Sequence, residues 1–419
     1  MVMISKGDWL LRAVACLGAV FSMADGVWAQ SPTFSITLTG QSAIRSDVRA
    51  HAPATVPTIA SLLKGDVVFT NFEATIFDVK KGQSPPDGRF IEAVLAAVGG
   101  GGDGRLGCAR TRLDDRLAPC LFLSPPEALD SLKTFGFNLL SLSNNHSWDL
   151  KVPGIENALE QAKRLDLVHA GIGHTVDGAA APGYMHTPKG TVALVAMASG
   201  FIADGGSATA TRPGVNELRV ERNAPNPEDA QRVLRSIRDA KQRAELVIVY
   251  QHNHAFDKPF STIMSERLPE LLVPPEWLKK WTHAEVDAGA DIIVMHGAPL
   301  LHGVEIYRDR PIFFDLGNFI FQPGQIGSSG FAVCDDPIVC ESVVAYVEFE
   351  GKSLKSVRFR PIALDKTGQG QADTRGLPRP ATGDQAHHIL ERLADLSRPF
   401  GTNIEAIGDS AEIKLKAGN

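Results

Sequence analysis

The sequence predicts an α/β fold with mixed strand pairing, on three observations. Six short apolar runs read as strands: 34–40, 66–76, 137–145, 191–199, 245–253 and 290–297. Amphipathic stretches at 125–136, 153–166, 227–241 and 274–289 alternate with them. All four open on Pro and two close on Gly. Such alternation implies βαβ units. After residue 303 the pattern changes. "GVEIYRDRPIFFDLGNFIF" reads as strand–turn–strand, and 342–364 reads as a hairpin turning near Gly351. The C-terminal part of the sheet is therefore expected to be antiparallel. A loop-like segment, 365–384, leads to a last amphipathic helix at about 384–397.

Composition narrows the function. The chain has 419 residues, 44% hydrophobic and 21% charged, with net charge −6. That is an ordinary globular composition with no long Lys/Arg run, so no nucleic-acid partner is expected. Lys6 and Arg12 precede the apolar run "AVACLGAVFSM", and "VWA" at Val27–Ala29 offers small residues for cleavage. Residues 1–29 therefore read as a cleavable secretory signal, and the mature chain as periplasmic or secreted; an uncleaved anchor is the rival. Cys108 and Cys120 bracket one polar segment, and Cys334 and Cys340 another. In an exported chain these predict two local disulfides, 108–120 and 334–340. The rival, a site of four thiolates, lacks the short C-x2-C spacing.

Polar residues gather at the C-terminal ends of the apolar runs. Gln41 follows the first and Glu73 sits late in the second. Asn144, Asn145 and His146 end the third, His252 and His254 end "LVIVYQHNH", and His296 ends "IIVMHG". Carboxyl ends of strands are where α/β sheets form ligand sites. Glu, Asn and His together suit a divalent transition metal. Each residue alone has an ordinary reading. A strand-end His is usually a hydrogen-bonded structural residue, and Asn144 or Asn145 could be a turn or cap before Pro153. His252 and His254 are two apart on an extended segment and share a face.

These blocks resemble the capsule-synthesis CapA family, also called poly-γ-glutamate synthesis proteins, of the calcineurin-like metallophosphoesterase superfamily. The resemblance runs from about Phe34 to Leu364. "TNFEATI" resembles the family's "NLE" block and "LSLSNNHSWD" its "NNH…D". "RPGVN", "VIVYQHNH", "ADIIVMHGAPLLHGVEIY" and "PIFFDLGNFIF" follow in family order. The chain departs from the pattern where Gln41 replaces the Asp of "GD", and where Pro299 replaces the last His of "GHHPH". Phe256 stands where a Glu is usual.

The resemblance implies a metallophosphatase-like layered α/β/β/α sandwich of mixed sheets over 30–365. Residues 366–419 add a loop and a helix packed on it. It implies a divalent metal (Mn, Fe or Zn) held by Glu73, Asn145, His252 and His296. One ion is expected rather than two, because the departures remove ligands of the other position; His302 or His254 could compensate. His146 becomes the catalytic His, oriented by Asp149, which could alternatively cap the following helix. Gln41, Asn144, Arg212, His254 and Asn318 become substrate contacts. The implied activity is hydrolysis of a phosphoester or amide bond in an anionic cell-envelope or capsular polymer, with membrane-bound synthesis components as possible partners. The alternative is a non-catalytic polymer-binding or export accessory protein with a degenerate site. A Ser hydrolase is disfavoured, because no G-x-S-x-G elbow is present.

Overall fold

A computed structural model of the chain describes residues 32–81, 112–113, 116–117, 122–259, 262–263, 272–322, 337–366 and 374–415. Two large sheets face each other. The first contains β1 (Thr33–Leu38), β2 (Val67–Asn71), β3 (Leu139–Ser141) and β4 (Val168–Ala170). The second contains β5 (Gly183–Thr187), β6 (Gly190–Ser199), β7 (Leu246–Asn253), β8 (Ile292–His296), β9 (Val304–Tyr307) and β10 (Arg310–Phe313). The first sheet is completed by β11 (Glu341–Glu350), β12 (Ser353–Leu364), β13 (Ile404–Ile407) and β14 (Ser410–Ile413). Its order is β13-β14-β12-β11-β1-β2-β3-β4, with Pro378–Pro380 pairing β12; the second runs β5-β6-β7-β8-β10-β9.

Both sheets are mixed, for the reason the sequence gives. β1, β2, β3 and β4 are mutually parallel, as are β6, β7, β8 and β10. The hairpins β9–β10 and β11–β12 are antiparallel, and Gly351 turns the second with φ 57°. All eight residues of β7 are buried, as expected of a central parallel strand covered on both faces.

Helices cover the outer faces. Against the first sheet lie α1 (Val56–Leu62), α2 (Glu127–Phe135) and α3 (Lys151–Arg164). Against the second lie α4 (Pro227–Lys241) and α5 (Glu276–Ala288). One apolar layer lies between the sheets, where Leu38 and Phe69 join Ile248, Tyr250 and Val294. A second joins Val68 and Leu140 to Ile59, Leu132 and Ile155. A third joins Val249 and Ile293 to Val233, Ile237 and Trp281. The layering is α/β/β/α, as expected. The C-terminal helix α6 (Gly383–Ser397) inserts Ile389, Leu390 and Leu393 into the inner layer.

Helix α4 has the predicted bounds because its punctuation is complete. Asn226 accepts from the N–H of Glu228 and Asp229, Pro227 opens the helix, and Arg238 and Lys241 occupy the last turn. Helix α3 instead begins at Lys151, two residues before Pro153. The proline sits in the first turn, where its missing N–H costs nothing. The β13–β14 hairpin was not predicted. Its signal is the "GD" turn, with Gly408 at φ 59°. Residues 1–31 and Cys108, Cys120 and Cys334 lie outside the described residues, and the signal and disulfide expectations lie there with them.

Candidate functional site

The candidate site lies where strands of both sheets end. Glu73 follows β2 and Asn145 follows β3, in the first sheet. His252 is near the end of β7, and His254 lies just past it, in the second. Asn145 Oδ1 stands 2.8 Å from His252 Nε2, and Glu73 Oε1 stands 3.7 Å from the same nitrogen. The Tyr250 hydroxyl lies 3.1 Å from His252 Nδ1, which fixes the ring from behind. Among the described residues, ligand atoms of Glu73, His252 and His254 lie within 4.8 Å of one another.

Glu73, Asn145 and His252, three residues expected as ligands, lie together here, and His254 joins Glu73 and His252 in the group. His296, also expected as a ligand, is not part of this group, and both its ring nitrogens are buried without a hydrogen-bond partner. His296 is the register partner of His252 on the next strand, and its ring packs on that of Tyr250 at 5.3 Å. It belongs to a pocket with His302, Asp315, Asn253 and Phe256.

Burial dominates the electrostatics. It pushes the Glu73 carboxyl up to about 7, opposed by His146 and reinforced by Asp149. It holds His252 well below the ordinary imidazole range, helped by His254, His296 and His146. It lowers His254 and His296 to about 3, with His146 adding to the first and the Thr39 backbone opposing the second. Asp315 is raised well above the carboxylate range by burial and by the nearby Glu73. Neutral imidazoles are the form that binds a metal. Glu73 Oε2 is buried without a hydrogen-bond partner. A buried carboxylate with one unbonded oxygen, facing neutral imidazoles and an amide oxygen, fits a divalent transition metal.

His146 stands beside this cluster on the 3-10 turn Asn145–Trp148. Its Nδ1 lies 2.9 Å from Asp149 Oδ2. Burial alone would lower its pKa, but Asp149 and Glu73 outweigh burial and raise it. The alternative role of Asp149 as a helix cap does not hold: the N-cap of α3 is Leu150, with no side-chain bond. Asp149 also accepts from the Phe122 N–H at 2.7 Å, and the Phe122 ring lies 4.1 Å from that of His146. On Phe122 sits the guanidinium of Arg45, 5.5 Å from the ring centroid. Burial lowers Arg45 to about 10, partly offset by Asp149.

The expected substrate contacts separate. Asn144 is fully buried and committed to structure: its amide donates to Phe72 O at 2.7 Å and its Oδ1 accepts from the His146 N–H. Its Nδ2 also donates to Asn71 Oδ1 at 3.3 Å, and its backbone N–H donates to Ser147 Oγ in a capping box, so Asn144 serves here as a cap. Gln41 and Asn318 bond each other, Nε2 to Oδ1 at 3.1 Å, and Asn318 also donates to Val339 O. Gly40 permits this meeting, because a Cβ there would come within 2.4 Å of Gly317 O. Arg212 donates to Ser207 O within its own loop.

Arg45, Phe122, Tyr250 and Asp315 were not singled out in the sequence. Only Tyr250 carried a local signal, two residues before His252 on the same strand face.

The model of the bacterial capsule synthesis protein PGA_cap family matches residues 106–323, about half of the chain. The chain belongs to that family. The matched span includes Asn145, His146, His252, His254 and His296. The uncharacterized protein y4sH of Sinorhizobium fredii is 28% identical over 86% of this chain and 88% of its own length. The capsule biosynthesis protein CapA of Bacillus anthracis is 30% identical over 47% of this chain and 43% of that protein. Among solved structures, a phosphatase from Mycoplasma pneumoniae aligns over 80% of this chain and 94% of its own, with 10% identity and a TM-score of 0.40. The NAD nucleotidase of Haemophilus influenzae aligns with 11% identity and a TM-score of 0.35, covering 88% of this chain and 56% of its own.

Proposed function

We propose that the chain is a metal-dependent hydrolase of the capsule-synthesis family, acting on a phosphoester or amide bond of a capsular or cell-envelope polymer outside the cytoplasm. The supporting observation is the convergence of Glu73, His252 and His254, with Asn145 against His252 and the His146–Asp149 pair beside them.

Glu73, Asn145, His252 and His254 would hold one divalent ion. Such an ion, when bound, polarises a phosphoryl or carbonyl oxygen and acidifies water. The chain's own residues supply the rest. Tyr250 orients His252 through Nδ1. Asp149 fixes the His146 ring and stabilises its protonated form, leaving Nε2 to hand a proton to the leaving oxygen or nitrogen. Phe122 packs on that ring and fixes its plane.

A second reading is a polymer-binding accessory protein without turnover. The Gln41–Asn318 bond favours it, because a neutral amide occupies the position where the family resemblance expects a carboxylate. A panel of phosphoesters and γ-glutamyl peptides, assayed with Mn, Fe or Zn, separates the two. The enzyme reading expects turnover in the wild type and its loss in His146→Ala. Equal inertness of both proteins, with polymer binding retained, would leave only the accessory role.

A further inference from the structure

We propose that Phe201 is a positioning residue that braces His254 as a ligand of the metal cluster; this rests on the assignment of His254 to that cluster. After β6 ends at Ser199, the chain passes through two left-handed residues, Gly200 at φ 77° and Phe201 at φ 56°. Ser199 O accepts from the His254 N–H at 2.7 Å, which fastens this turn to the segment after β7. Gly200 is required there, since a Cβ would lie 2.9 Å from the His254 carbonyl carbon.

Phe201 has no such steric requirement. A bulky residue is an outlier at positive φ, and Gly or Asn would make the turn with less strain. The side chain is also 59% exposed, one of the few large apolar residues so placed among those described. Strain and exposure at one residue are tolerated where the residue does something beyond forming the turn.

The ring stacks on the His254 imidazole, with centroids 4.9 Å apart and planes 28° apart. His252 meets the same imidazole edge-on at 4.9 Å, and Phe256 meets it edge-on at 6.3 Å. His254 thus sits in an aromatic slot closed on one face by Phe201. The bond from its N–H to Ser199 O holds its backbone, and the aromatic slot sets the orientation of its ring. The slot keeps its ring nitrogen within reach of Glu73 and His252. Groups that orient a ligand histidine typically change metal affinity by about 10- to 100-fold.

The test uses the full chain stripped of metal by chelator, titrated with Mn²⁺ or Zn²⁺ by calorimetry, with melting of the metal-free protein as a second readout. Phe201→Gly is expected to weaken metal binding about ten-fold or more. Its metal-free Tm should hold or rise, because the left-handed turn is relaxed. Phe201→Trp keeps the stack and should bind as the wild type does. Unchanged affinity in Phe201→Gly, while His254→Ala loses it, would overturn the brace alone. So would a Tm that falls together with affinity, which marks a merely structural residue. Wild-type affinity in His254→Ala would instead remove the ligand assignment beneath it.

Discussion

Glu73→Gln should make the metal-free protein more stable and its metal-loaded form less so. The Glu73 side chain is 7% exposed, and its only ion-pair partner among the described residues is His252, itself kept neutral by burial. Burial first, then the charge of Asp149, raises the carboxyl from 4.5 to about 7, against the pull of His146. In the metal-free state the folded protein binds this proton more tightly than the unfolded chain does. Stability is therefore highest below about pH 4.5 with respect to this group and falls as pH rises to about 7. At 1.36 kcal/mol per pH unit, the penalty at pH 8 is about 3 kcal/mol. Gln has the same shape and no charge, so it removes that penalty. Urea unfolding at pH 5 and pH 8, with and without Mn²⁺, measures both halves. We expect Glu73→Gln to gain about 2–3 kcal/mol over the wild type at pH 8 without metal, and much less at pH 5. A saturating metal, at about 100 times its Kd, should add about 2.7 kcal/mol to the wild type and little to the variant. Equal metal-induced gains in both proteins would refute the reasoning, as would a metal-free variant less stable than the wild type at pH 8.

Three further outcomes are expected. Asp149→Asn should lower turnover at least about ten-fold through the lost orientation and charge of His146, with a much smaller change in metal affinity, since Asp149 touches the cluster only through its charge on Glu73; calorimetry and initial rates on the same sample check both. His302 is buried and its pKa is lowered by burial to about 4, so it contributes stability that is complete above about pH 6.5 and lost as pH falls to about 4. His302→Gln should flatten that acid loss by about 3 kcal/mol in denaturant melts at pH 7 and pH 4. Asn144→Ala should cost about 1–2 kcal/mol of stability through loss of the cap, and the loss should show in Tm rather than as a selective change in KM.

Much of the fold was legible because its strands are apolar on both faces. β7 reads "LVIVYQHN" and is wholly buried, so its limits in the sequence and in the structure nearly coincide. The helices with clear caps were legible for the same local reasons, α4 above all. The β13–β14 hairpin was harder to see, because β13 leaves Glu405, Ala406 and Ile407 exposed, with no buried alternation, and its pairing depends on distant β12. At the site, Glu73, Asn145 and His252 were legible as strand-end residues of the right chemistry. That His254 groups with Glu73 and His252 was not, since it depends on how the segment after β7 turns once the strand ends. The role of Asn144 was ambiguous for a physical reason: the same amide can cap a turn or face a ligand, and only its bonds to Phe72 and His146 decide. Arg45 and Phe122 could not be found locally, because they reach His146 through packing between segments far apart in sequence.

The assignment is tested most directly by anomalous diffraction from crystals loaded with Mn²⁺ or Zn²⁺. One strong peak bounded by Glu73, Asn145, His252 and His254 is predicted. A peak elsewhere, with this cluster left empty at saturating metal, would contradict it.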